Sequence, residues 1–77
     1  MISDDEIRRE IETLAASRPG TFCPSEVARR LTTDWRPLMP AVRAVAAVLV
    51  REGRLRCTRR GRAVDPESAG GPIRLGR

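Results

Sequence analysis

Seventy-seven residues with 40% hydrophobic content and a formal net charge of +5 describe one small domain, too short for a large core or an elaborate active site. The only aromatics are Phe22 and Trp35, there is no histidine, and the two cysteines cannot supply a disulfide framework or a four-ligand zinc site. Free thiols at Cys23 and Cys57, an aliphatic core, and no cofactor or metal are therefore expected.

The first helix is announced by Ser3-Asp4-Asp5-Glu6, a capping box with acids at the positive end of the helix dipole. Ile2 and Ile7 are spaced as a hydrophobic staple across that cap. Ile7, Ile11 and Leu14 repeat at helical spacing, and Arg18-Pro19-Gly20 stops the helix near Ser17. Thr21-Phe22-Cys23 is β-prone but very short, enough for a small strand beside a hairpin. Pro24 suits the first position of a second helix running to Leu31, with Val27, Ala28 and Leu31 inward and Arg29 and Arg30 outward. Thr32-Thr33-Asp34 makes a turn, and Asp34 is a candidate cap for the next helix.

The third helix is complicated by Pro37 and Pro40, which lack an amide hydrogen. A one-turn lead-in from Trp35 that becomes regular helix by Pro40 reconciles them. Gly53 then ends the helix. Trp35, Leu38, Val42, Val45, Ala46 and Leu49 fall on one stripe, while Arg36, Pro40, Arg43, Ala47 and Arg51 fall opposite. Leu55 and Cys57 alternate with Arg54, Arg56 and Thr58 in the period of a half-buried strand. Arg59-Arg60-Gly61 fits a tight loop with glycine at the left-handed position, and Ala63-Val64 begins a return strand. Residues 66–77 read as a partly extended tail in which Ile73-Arg74-Leu75 could dock as a strand.

This order predicts an α+β, winged-helix-like domain over residues 1–77: three helices with a small antiparallel β-hairpin as the wing. Ile7, Ile11, Leu14, Val27, Leu31, Leu38, Val42, Val45, Leu49, Leu55 and Val64 are expected to share its core.

Four segments carry a resemblance. They are Cys23-Pro24-Ser25-Glu26-Val27-Ala28-Arg29, Trp35-Arg36-Pro37-Leu38-Met39-Pro40-Ala41-Val42-Arg43, Gly61-Arg62-Ala63-Val64-Asp65-Pro66 and Gly71-Pro72-Ile73-Arg74-Leu75. Together they resemble the small bacterial domain-of-unknown-function family 3253, from Ile7 onward. The resemblance implies a winged-helix-like fold. It implies no function, so it transfers no functional residues.

Charge is the remaining functional signal. Residues 1–12 carry five acids and two arginines, a net of −3, and residues 13–77 carry thirteen arginines and five acids, a net of +8. Such a field favours polyanions. All fifteen basic residues are arginine, a pattern that codon bias in a GC-rich genome also produces. The expected function is a non-catalytic helix–turn–helix module with weak, electrostatic binding of DNA or another nucleic acid. Its candidate residues are Arg36, Arg43 and Arg51 on the third helix and Arg54, Arg56, Arg59, Arg60 and Arg62 on the hairpin. Guanidinium groups pair bidentately with phosphate.

Only Arg36 and Arg43 could read a guanine, so base-specific reading is expected to be poor. Trp35 is either a stacking platform or, given its place on the core stripe, a packing residue. The alternative is a contact with a second copy or another protein through the small-residue face Ala41, Ala44, Ala47 and Val48 on the third helix. No small-molecule substrate is evident, and the acids sit at turns rather than in a convergent pair. The acidic N-terminus without an apolar stretch reads as lacking a signal peptide, and the apolar run Ala44 to Val50 is too short to span a bilayer, so a cytoplasmic chain with no membrane partner is expected.

Overall fold

The structure, a computed structural model, describes residues 1–77. Helix α1 spans Asp4–Ser17 and begins at the predicted capping box: the Glu6 amide donates to Ser3 Oγ at 3.2 Å, and the Ser3 amide donates to the Glu6 carboxylate at 3.3 Å. Its buried face is Ile7, Ile11, Leu14 and Ala15. Arg18 is extended, as the residue before a proline prefers, and its amide closes the helix on the Leu14 carbonyl. Helix α2, Pro24–Leu31, starts with proline at its first position and buries Pro24, Val27 and Ala28.

A 3-10 turn over Arg36–Leu38 leads directly into α3, Met39–Arg51, with Pro40 in the first turn, where a missing amide costs no helix hydrogen bond. Asp34 makes no side-chain cap to it. Gly53 lies just beyond the end of α3 at φ +76°, a backbone region glycine enters without strain. The three helices pack on one another, α1 against both α2 and α3.

Strand β1 spans Arg56–Arg59, β2 Arg62–Ala63 and β3 Arg74–Gly76. They form one antiparallel sheet in the order β2-β1-β3. Cys57 pairs with Leu75, and Arg59 with Arg62. Phe22 joins the far side of β3 by two backbone hydrogen bonds to Leu75, each 2.8 Å, rather than pairing with the hairpin itself. The C-terminal tail thus supplies a strand between the wing and Phe22. Three helices and a three-stranded antiparallel sheet make this an α+β, winged-helix-like arrangement.

The core cluster joins the α1, α2 and α3 stripes to Phe22, Leu55, Cys57, Ile73 and Leu75. Leu31, Leu38 and Val64, expected within it, are only partly buried at its margin. Ile73 and Leu75 take their place, because strand docking turns the alternate residues of the tail inward.

The larger departure concerns the outer face of α3. Helical phase places Ala47 there, yet it is 2% exposed. The segment between β2 and β3 returns across this side of α3, where Ala47, Val64 and Pro66 line a common cleft, and Pro66 itself is buried. Arg43 pins that strap. Its Nη1 donates to the Pro66 and Ala69 carbonyls at 3.1 and 3.0 Å, and its Nη2 donates to the Gly71 carbonyl at 3.0 Å.

Candidate nucleic-acid interface

The hairpin register leaves two loop residues, Arg60 at φ +52° and Gly61 at φ +80°. Positive φ at both positions is the pattern of the mirror-image turn whose twist matches its strands, usually built from Asn-Gly or Gly-Gly. An arginine at the first position is unusual, because its Cβ crowds the backbone there. The turn thrusts Arg60 from the wing tip, with Arg59 and Arg62 paired just behind it. Arg56 lies one pleat further back, its side chain on the other face of β1 from Arg59. All four are exposed. None forms an ion pair, whereas Arg8, Arg18, Arg30, Arg51 and Arg54 all do.

The other four predicted arginines are separated from this group by what holds them. Arg54 lies 3.6 Å from Glu12 and 3.5 Å from Glu52, and Arg51 lies 3.3 Å from Glu67, all at the surface. Arg43, predicted as a free guanidinium on the outer face of α3, is instead committed to the strap carbonyls, because the tail folds back over it. Arg36 is exposed and stacked on Trp35, its guanidinium carbon 4.6 Å from the ring centroid. Arg29, which sequence reasoning placed outward without a role, lies 4.5 Å from the same ring. Its spacing from Trp35 carries no local signature that would have singled it out.

Trp35 is half-buried and packs against the core cluster. The open strip of α3 consists of Pro40, Ala44 and Val48, with Val48 41% exposed. None of these side chains carries a hydrogen-bond donor or acceptor, so α3 offers little with which to read base edges.

Two shallow clefts flank the hairpin. One, of about 310 Å³, lies between α3 and β2 and includes Val50 and Val64; the other, of about 460 Å³, is bordered by Leu55, Cys57 and Val64. Neither brings two carboxylates together. No group of three or more His, Cys, Asp or Glu side chains is placed to hold a metal ion. Burial pushes the Cys57 thiol above its ordinary value, so it is protonated at neutral pH. No helix is long and apolar enough to cross a membrane.

Over residues 4–77 the chain matches the family described as protein of unknown function (DUF3253), and it belongs to that family. The match covers nearly all of the sequence, in agreement with the resemblance carried by the Trp35–Arg43 and Gly61–Pro66 segments. No curated protein matches the chain.

Proposed function

We propose that this member of the family is a non-catalytic winged-helix module of the cytoplasm that binds nucleic acid, DNA in the first instance, through the phosphate backbone. In this reading α2, the turn and α3 form a helix–turn–helix. The arginine wing, rather than α3, makes the principal contact.

The observation that carries the reading is the arrangement of Arg59, Arg60 and Arg62. Arg59 and Arg62 are like charges directly across the hairpin, a pairing that destabilises a sheet. Arg60 occupies a left-handed turn position. No carboxylate relieves the charge, although the chain pairs five other arginines with acids. A polyanion lying along the wing would offset the repulsion among these three clustered guanidinium groups. The bare strip of Pro40, Ala44 and Val48 supports backbone contact over base reading.

Fluorescence anisotropy of a random-sequence duplex tests the reading. If three to five phosphates are neutralised, the slope of log affinity against log salt should be roughly −3 to −4.5 between about 50 and 200 mM. Absence of binding at the low-salt end overturns it. The rival, self-association or protein binding through Ala44, Ala47 and Val48, keeps Ala44 and Val48 at the surface but loses Ala47, which lies buried beside the strap. Dimers found by sedimentation would revive it.

A further inference from the structure

We propose that Arg29 and Arg36, laid against Trp35, form a second phosphate contact for the same nucleic-acid backbone; this rests on the reading of the wing above. The three residues bracket the turn between α2 and α3. Arg29 stands in the last turn of α2, and Arg36 is the first residue of the 3-10 lead-in to α3. Trp35 joins them, its side chain packed against the core.

A guanidinium stacked on an indole loses little of its hydrogen-bonding capacity. The attraction to the ring face uses the positive charge and none of the five N–H donors as hydrogen bonds, so the fork stays available. Neither Arg29 nor Arg36 forms an ion pair, although the adjacent Arg30 is paired with Glu10 and Arg18 with Glu26. The turn therefore presents two unneutralised cations beside one aromatic ring that is itself packed against the core. Phosphate is the ligand that matches: a planar fork meets its oxygens bidentately. A backbone contact at the turn before a helix also needs no base-reading side chain, consistent with the bare strip of α3.

Trp35 is the chain's one tryptophan and there is no tyrosine, so intrinsic emission reports on this site alone. The full chain is titrated with a random-sequence duplex while emission and the anisotropy of labelled duplex are followed in parallel. Trp35 emission should change and saturate at the duplex concentration at which anisotropy saturates. An Arg29→Ala/Arg36→Ala variant should bind more weakly, with a salt slope shallower by about 1 to 2. An Arg59→Ala/Arg60→Ala variant should also bind more weakly but retain the Trp35 response. If anisotropy reports binding while Trp35 emission stays flat, or the Arg29→Ala/Arg36→Ala slope equals that of the native chain, this contact is overturned and the wing stands. If the native chain gives no anisotropy change at low salt, the wing reading fails and this contact fails with it.

Discussion

Arg59 and Arg62 face each other directly across the wing, two guanidinium side chains on one face of the hairpin with no carboxylate to pair with either. Stability and binding should pull in opposite directions here. Arg59→Glu converts a repulsive cross-strand pair into an attractive one and should stabilise the fold by about 0.2–1 kcal/mol. The same change should lower affinity for every duplex sequence alike. Chemical denaturation and anisotropy, run on the same preparation, measure both. A destabilised Arg59→Glu chain would contradict the pairing.

Arg60 makes a parallel case through backbone geometry. At φ +52° it occupies a position that glycine or asparagine adopts more readily. Arg60→Gly should raise stability by about 0.5–1 kcal/mol, equivalent to a few degrees in the melting temperature of a domain this size. Thermal unfolding followed by circular dichroism checks this. An unchanged or lowered midpoint would mean that any strain at Arg60 does not exceed the unfolded-chain freedom that glycine adds.

Arg43 should behave as a structural residue. Arg43→Ala leaves three strap carbonyls without their shared donor and should cost about 1–3 kcal/mol. Arg43→Lys keeps the charge but not the planar fork, so it should resemble Ala more than Arg. Limited proteolysis by a glutamate-specific protease provides the local readout, because Glu67 lies in the strap. Cleavage there should accelerate in both variants.

In the core, Leu49 is fully buried. Leu49→Ala should cost about 2–5 kcal/mol, the range for a lost leucine side chain with incomplete collapse around it. Denaturant titration with an unchanged slope and a lower midpoint is the expected result.

One ion pair predicts a pH dependence. Arg8 donates to both Glu52 oxygens, at 2.6 and 3.3 Å. That hydrogen bond, and then the charges of Arg8 and Arg54, hold the Glu52 carboxyl below its ordinary 4.5. A carboxyl depressed on folding contributes stability above its unfolded value and loses it as pH falls through the folded one. Stability should therefore drop below about pH 4.5 at low salt, and Glu52→Gln should flatten part of that drop. Identical pH profiles for the two chains would remove Glu52 as a contributor.

Local signals carried far along this chain. Ser3 and Glu6 cap α1 because both partners lie within one helical turn, and Pro40 places the start of α3 because a ring without an amide is tolerated only there. Gly61 turns the hairpin at a left-handed position, although the loop is two residues rather than the expected three, because Arg59 stays in β1 paired with Arg62. Each of these is decided within a few residues, as is the burial of Ile7, Ile11 and Leu14 by their spacing. The four bare arginines of the wing were legible for the same reason: a tight hairpin leaves its tip in solvent.

What tertiary structure alone decided lies at long range. Helical phase reports distance from one core, so it assigned Ala47 and Arg43 to solvent; it carries no information about a tail that returns over the opposite face. The position of β3 between β1 and Phe22 depends on which edge the tail reaches after it crosses α3. Arginine side chains are long enough to find partners distant in sequence. Arg8 with Glu52, Arg54 with Glu12 and Arg43 with Gly71 therefore follow from chain packing, and so does the distinction between committed and free arginines. Composition determined how much positive charge this protein carries; the packing of the helices and the folding of the tail across α3 decided which of that charge is paired and which remains free.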